Sequence, residues 1–205
     1  MIPENIEPPL VPLSWLLGCW QGWGSATVAL STPEETKPGS EDSYAEFWIL
    51  QRIEFTAKGQ ELMQVTETYR ALGDVEMTAD AAAGMRQLKA GELLWRERAE
   101  WTVEQYAMAE PGVDAQSRCR VYTTREGGEF AGETIEFMVS SMGPRISAQS
   151  VDVSAAPDTA HGSGVPADAI QRMFGLVAGE LMWASDRVSA MGQSRSEFSA
   201  RLARA

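Results

Sequence analysis

The side chains that most often carry chemistry are few and scattered in this sequence. His161 is the only histidine, and it lies in the Gly- and Ser-containing stretch 159–164. An iron-bound imidazole normally needs a fixed scaffold and a second hydrogen-bonding partner, so a solvated loop histidine is the favoured interpretation. Glu97 and Glu100 have opposite parity on a predicted strand and face opposite sides. They are therefore not expected to work together as a general acid and base.

The two cysteines, Cys19 and Cys119, are too far apart in the sequence to form a CxxC redox or zinc motif. Two cysteines are too few for a disulfide framework, which favours a reducing cytoplasm as the location. We expect both to be free, partly buried thiols. The sequence contains no HExxH, DxD or Walker pattern, and a nucleophilic triad could use only His161. These residues predict no enzymatic activity and no metal site.

Composition predicts one acidic domain. The chain has 205 residues, of which 44% are hydrophobic, and 17 basic against 29 acidic residues give a net charge of −12. No basic cluster is present, so nucleic acid and anionic membrane surfaces are not expected partners. The acidic, proline-rich start does not resemble a signal peptide. We predict a single domain over residues 1–205, with residues 1–10 as a flexible segment; the oligomeric state stays open, a homodimer included.

The elements that must position any site are mostly short strands. Residues 10–18 predict one or two helical turns that end at Gly18. Residues 44–55 and 61–70 predict a hairpin, and residues 91–103 alternate with Trp95, Glu97 and Trp101 on one face. Further strands are predicted over 118–124, 133–140, 145–153 and 196–205, with loops at 31–42 and 155–166. The stretch 179–192 fits a helix and a strand about equally well. About eight strand candidates favour an antiparallel sandwich or a closed barrel.

The predicted first strand presents a face of small and apolar residues. Trp20, Gly22 and Gly24 share one parity, and Gly18 precedes them. Glycine in a strand permits bending and close approach by another backbone, which the closure of a barrel requires. This pattern is too short for a dinucleotide-binding fingerprint and precedes strand-like sequence. We predict Trp20 to be a core residue at the base of the barrel.

Several of these stretches resemble the nitrobindin family. Gly18, Trp20, Gly22 and Gly24 match its GxWxGxG opening, and residues 172–202 match its closing hairpin. Glu97 and Trp101 have the spacing of its E-S-G-x-W segment, although Ala99 replaces the glycine, and residues 141–146 resemble its G-P-R-I turn. The resemblance implies an all-β fold: a ten-stranded antiparallel β-barrel like those of lipocalins and fatty-acid-binding proteins. It also implies that 179–192 contains a strand.

The resemblance implies a haem site whose iron ligand is missing here. Members of the family bind ferric haem in one mouth of the barrel, through a histidine in the last strand, and are linked to nitric oxide and peroxynitrite chemistry. Glu197 stands at the position of that histidine. A carboxylate does not reproduce the usual axial ligands of haem proteins. We therefore expect no cofactor, haem included.

The position of Glu197 leads to a hypothesis about a pocket. If Glu197 faces the lumen, alternation predicts that Ser199 and Arg201 face it too, and an inward arginine is a carboxylate clamp. A Glu197–Arg201 pair that only satisfies itself is the alternative.

Three functions follow from the resemblance. We expect a ferric nitrobindin-like, non-haem barrel that binds a small hydrophobic or amphipathic ligand in the cytoplasm. One alternative is a haem-binding peroxynitrite isomerase, or a haem protein that binds nitric oxide, with another axial ligand. The other is an interaction module with a filled lumen.

Overall fold

The chain folds into a closed barrel of ten antiparallel strands. The computed structural model describes residues 6–29, 44–127, 131–132, 134–151, 169–189 and 192–205. A 3-10 helix, Pro8–Leu16, precedes the barrel. The elements that follow are β1 Gly18–Ala29, β2 Tyr44–Lys58, β3 Glu61–Leu72, α1 Ala81–Gln87, β4 Lys89–Ala107, β5 Gln116–Glu126, β6 Thr134–Met142, β7 Arg145–Ser150, β8 Ala169–Val177, β9 Glu180–Val188 and β10 Ser194–Arg204. Each strand pairs with its neighbours in the chain, and β10 pairs with β1 to close the barrel.

This architecture confirms the predicted fold class, and it settles the ambiguous stretch 179–192, where Glu180–Val188 is a strand. Two features differ from the sequence analysis. Residues 81–87, for which no element was predicted, form α1 with Asp80 as its N-cap. Pro8–Leu10, expected to be flexible, belong to the 3-10 helix, and Leu10 is buried. The predicted loops 31–42 and 155–166 lie outside the described residues.

The seam between β1 and β10 explains the glycines of the first strand. A Cβ on Gly22 or Gly24 would overlap the backbone carbonyl oxygens of Arg201 and Ser199, respectively. The two backbones therefore approach as closely as predicted. Gly18, the first residue of β1, has φ +112°, a conformation that residues with a side chain rarely adopt, and it redirects the chain from the 3-10 helix into β1.

One end of the lumen is closed and apolar. Leu10, Leu13 and Leu16 of the 3-10 helix are buried in the main core, and Trp20 is 1% exposed, as predicted for a core residue. The indole N–H of Trp20 donates to the carbonyl oxygen of Leu16 over 2.7 Å. That bond satisfies a buried donor and fixes the helix to the barrel.

The middle of the lumen is filled by aromatic side chains that touch in a chain. Their ring centroids are 4.5–6.2 Å apart, and the members are Phe55, Trp101, Phe174, Trp183, Phe198 and Trp95. Buried glutamines hold two of the indoles, because Gln64 accepts from Trp101 and Gln51 accepts from Trp183. The other end of the lumen, at the start of β10, is where charged side chains lie.

Outside the barrel, α1 packs against β1. Gly84 lies against the indole of Trp23 so closely that a Cβ would overlap the ring, and the Trp23 N–H donates to the Asp80 carbonyl oxygen over 3.0 Å. Trp23, Ala71, Val75 and Leu88 form a small second core beneath this helix. None of the described helices is long and apolar enough to cross a membrane.

Candidate functional site

Four charged side chains meet inside the lumen and form what we call the ion cluster: Glu97 of β4, Arg125 of β5, Arg172 of β8 and Glu197 of β10. Arg172 donates two hydrogen bonds to the Glu97 carboxylate, from Nη1 to Oε1 over 2.7 Å and from Nη2 to Oε2 over 2.8 Å. Arg125 donates to the same carboxylate from Nη2 over 3.1 Å. Two guanidinium groups therefore neutralise one carboxylate that is 1% exposed.

Glu197 completes the ion cluster at its outer edge. Its Oε1 accepts from Arg125 Nη1 over 2.8 Å, and its Oε2 accepts from the Ser185 hydroxyl over 2.8 Å. The Glu197 side chain is 11% exposed, against 1% for Glu97. Arg125 thus bridges a deep carboxylate and a shallow one.

A β-bulge aims Glu197 into the lumen. Ser196 pairs with Asp186 and Phe198 pairs with Ser185, so Glu197 is the extra residue between two paired positions. Both Glu197 and Phe198 consequently face inward, and the alternation of β10 is reversed beyond the bulge. The prediction that Ser199 and Arg201 share the lumen with Glu197 was wrong for this reason.

Ser199 and Arg201 lie on the outside of the barrel instead. They border an external groove of about 630 Å3, which Met142, Met173 and Met182 also line. The predicted Glu197–Arg201 pair is also wrong. Arg201 donates to Glu180 over 2.8 Å and to the Ala79 carbonyl oxygen over 2.7 Å, while Glu180 accepts from the Ala81 N–H. We call Arg201 and Glu180 the outer clamp, because they tie the start of α1 to β9 and β10.

The surroundings of the ion cluster hold both glutamates in their charged form. Burial by itself raises the pKa of Glu97, but the charges and hydrogen bonds of Arg172 and Arg125 outweigh it and leave the pKa below its ordinary value. Burial likewise raises the pKa of Glu197, but Arg125, Arg172 and the hydrogen bond from the Ser185 hydroxyl outweigh this effect and leave the pKa below its ordinary value. A carboxylate with a lowered pKa is a poor general acid at neutral pH.

The guanidinium groups of the ion cluster also stack on aromatic rings. The Arg125 Cζ atom lies 5.2 Å from the centroid of Trp95, and that of Arg172 lies 4.6 Å from the centroid of Phe137. These contacts and the carboxylates fix both arginines in place. The cluster is therefore a rigid set of donors on top of the aromatic chain.

More arginines face the same mouth. Arg70 of β3 lies 4.4 Å above the ring of Phe47, and Arg187 and Arg195 are directly paired residues of β9 and β10. Together with Arg125 and Arg172 they form what we call the arginine mouth. Arg125 and Arg172 pair with Glu97 and Glu197, and Arg70 donates to the exposed Glu92 over 3.2 Å. The five arginines outnumber these three glutamates, so positive charge gathers at one opening of a protein whose net charge is −12.

Sequence reasoning missed Arg125, Arg172 and Ser185. A signal was present: Arg125 has the strand parity of Cys119, Val121 and Thr123, and Arg172 that of Ile170 and Phe174, all of them buried. An arginine at the inward position of a barrel strand requires a partner.

The remaining candidate residues take no part in the ion cluster. Glu97 and Glu100 do face opposite sides, since Glu97 is buried and Glu100 exposed. Cys19 and Cys119 are free thiols; burial raises the pKa of Cys119 to about 11, which makes it unreactive. His161 lies outside the described residues. Among the residues that the structure does describe, no three histidine, cysteine or acidic side chains come together as a metal-binding group.

The strand order defines the class of the protein as a closed, ten-stranded antiparallel β-barrel. More particularly, the chain belongs to the family described as "THAP4-like, heme-binding beta-barrel domain", whose model matches residues 9–204. This match confirms the resemblance to the nitrobindin family. The turn at Gly143–Pro144 and the glycine-rich β1 are where the family resemblance placed them.

Curated relatives cover nearly the whole chain. A ferric nitrobindin-like protein of Kineococcus radiotolerans is 31% identical over 209 residues, which is 99% of this chain and 98% of the relative. A ferric nitrobindin-like protein of Beutenbergia cavernae is 27% identical over 99% of this chain and 97% of its own length. A peroxynitrite isomerase of Leifsonia xyli is 28% identical over 100% of this chain and 98% of its own length.

The family match corrects one expectation. We expected no cofactor and no haem, but the family to which the chain belongs is described as haem-binding. The residues of the mouth fit the acidic side chains of haem, since arginines are natural partners of carboxylates. They do not form an iron site at Glu197, because Arg125 and Ser185 already bond its two oxygens.

Proposed function

We propose that this protein binds an amphipathic molecule that carries a carboxylate, with the acid group at the arginine mouth. The observation that carries the proposal is the arginine mouth itself: five arginines gather at one opening of the barrel in a chain whose net charge is −12. The positive electrostatic potential of these arginines attracts anions, and a guanidinium group recognises a carboxylate through two parallel hydrogen bonds. Haem, with two carboxylates on an apolar ring, and fatty acids are both amphipathic molecules of this kind.

The outer end of the aromatic chain offers an apolar contact for the other half of this ligand. Trp95 lies beneath Arg125 and contacts Phe198 at a centroid distance of 6.1 Å, so the aromatic chain begins directly below the charges. Arg172 also keeps an unused donor, because among the described residues its buried Nε has no hydrogen-bond partner. A buried donor without a partner costs about 1–3 kcal/mol, which a ligand oxygen or a water would recover.

A titration with hemin and with decanoate tests the proposal, each followed by calorimetry. We expect both to bind, and the affinity to fall as salt is raised, because the attraction is electrostatic. Arg187→Gln should weaken binding, whereas Arg118→Gln, an exposed arginine on the outer face of β5, should leave it unchanged. Absence of binding by either compound, or equal effects of the two variants, would contradict the proposal.

A second candidate is a haem-dependent isomerase, which the name of the Leifsonia xyli relative favours. In that case the haem iron takes its axial ligand from a residue other than a histidine. Hemin should then give a sharp Soret band, and the loaded protein should accelerate the decay of peroxynitrite. A sharp band that persists in Glu197→Ala would place the axial ligand at another residue, as the bonds of Glu197 to Arg125 and Ser185 require. The broad spectrum of free hemin would reject this candidate.

A further inference from the structure

The geometry points to Glu197 as a built-in competitor: its carboxylate occupies the position on Arg125 that the carboxylate of a ligand takes, so the ligand must displace it. This inference rests on the proposed function and names the residue that sets the affinity of the mouth for acids.

The first argument is the asymmetry of the two carboxylates on Arg125. Glu97 is held by Arg172 through two bonds and by Arg125 as well, and its side chain is 1% exposed. Glu197 has one bond from Arg125 and one from Ser185, and its side chain is 11% exposed. Displacing Glu97 would break the deepest contacts of the ion cluster. Displacing Glu197 breaks two bonds at its outer edge.

The second argument is the direction of the Arg125 guanidinium. Its Nη2 donates inward to Glu97, whereas its Nη1 donates to Glu197 on the side of the mouth. The ring of Trp95 covers one face of this guanidinium. Nη1 is therefore the donor that a carboxylate entering from the mouth meets, and the Oε1 atom of Glu197 already lies there.

The third argument is mechanical. Glu197 is the extra residue of a β-bulge, so it is not directly paired with a residue of β9. The bonds to Arg125 and Ser185 fix its carboxylate, and a change of its side-chain rotamer would release both without breaking the strand pairing on either side of it. A carboxylate held in this way at a β-bulge can be replaced on Arg125 by the carboxylate of a ligand.

The test compares decanoate with 1-decanol, an uncharged molecule of the same chain length, by calorimetry. Glu197→Gln removes the competing charge, and we expect decanoate to bind about tenfold more tightly or better, because a charge-assisted hydrogen bond to Arg125 becomes available. The affinity for 1-decanol should stay unchanged. Glu67→Gln is the matched control, because Glu67 forms a similar 2.7 Å pair with Arg96 on the outer face of the barrel.

Ser185→Ala is a second variant that keeps every charge. It removes only the hydroxyl that holds the other oxygen of Glu197, and it should strengthen decanoate binding by about two- to fivefold. It also keeps the inference testable if Glu197→Gln does not fold.

The outcomes separate the inference from the proposed function. Decanoate that binds wild type and Glu197→Gln equally would overturn the inference and leave the proposed function standing. Equal gains for decanoate and 1-decanol would also overturn it, because they would indicate a wider lumen instead of a released charge. Failure of wild type and variants to bind either hemin or decanoate would overturn both.

Discussion

The ion cluster inside the barrel and the outer clamp on its surface are built from the same residue types, and strand β10 contributes to both. In the cluster, Arg125 and Glu197 are 5% and 11% exposed; in the clamp, Arg201 and Glu180 are 27% and 17% exposed. Pairs in contact with water are worth little, whereas a buried charge that loses its partner costs several kcal/mol. The difference in burial, not in residue type, therefore separates their roles. The outer clamp holds α1 against the barrel, and the ion cluster fixes hydrogen-bond donors at the mouth.

Of the substitutions that test this comparison, Glu97→Gln should reduce the free energy of unfolding most. It removes the central charge of the ion cluster and leaves Arg172 and Arg125 buried with one carboxylate between them. We expect a loss of about 3–5 kcal/mol in the free energy of unfolding, measured by urea denaturation. Glu100→Gln on the exposed face of the same strand is the control and should change it by less than about 0.5 kcal/mol. A loss for Glu97→Gln as small as that for Glu100→Gln would show that the charges of the ion cluster do not depend on one another for stability.

The seam between β1 and β10, which supports both regions, gives the next prediction. Gly24→Ala should cost about 1–3 kcal/mol, because its Cβ would overlap the Ser199 carbonyl oxygen and push β10 outward. Gly175→Ala is the control: its Cβ would meet only the Pro144 oxygen at 3.9 Å, an ordinary contact. Similar thermal unfolding midpoints for the two variants would argue against the close approach at the seam.

The pH dependence of stability distinguishes the two regions as well. Glu197 has a lowered pKa in the folded protein, so its stabilising effect is fully present above the ordinary glutamate pKa of about 4.3 and is lost as pH falls through the folded pKa. Glu197→Gln should therefore cost about 1–3 kcal/mol at pH 7 and progressively less below about pH 4. A cost that does not change with pH, measured by urea denaturation at each pH, would contradict the assigned charge state.

The outer clamp should give the smallest effect. Glu180→Gln leaves Arg201 in contact with water and with the Ala79 carbonyl oxygen, so we expect a loss of about 0.5–1 kcal/mol that diminishes in high salt. Hydrogen exchange should show faster opening confined to α1. A loss as large as that of Glu97→Gln would remove the distinction between the clamp and the cluster.

The sequence predicted the barrel because glycine spacing, strand alternation and the nitrobindin motifs all agreed. It did not predict α1, whose small residues give no periodic pattern. It misplaced Ser199 and Arg201 because a bulge adds one residue and reverses the alternation, and nothing in the local sequence marks that point. The ion cluster could be predicted only in part. The inward parity of Arg125 and Arg172 was readable, but Arg125 lies 28 and 72 residues from Glu97 and Glu197, and Arg172 lies 75 residues from Glu97.

A crystal structure of the protein with decanoate would test the central claim most directly. We predict that the carboxylate lies at the arginine mouth, within hydrogen-bonding distance of Arg125 Nη1, with Glu197 turned away and the alkyl chain towards Trp95. A decanoate bound only in the external groove beside Met173, with the Glu197–Arg125 bond intact, would contradict it.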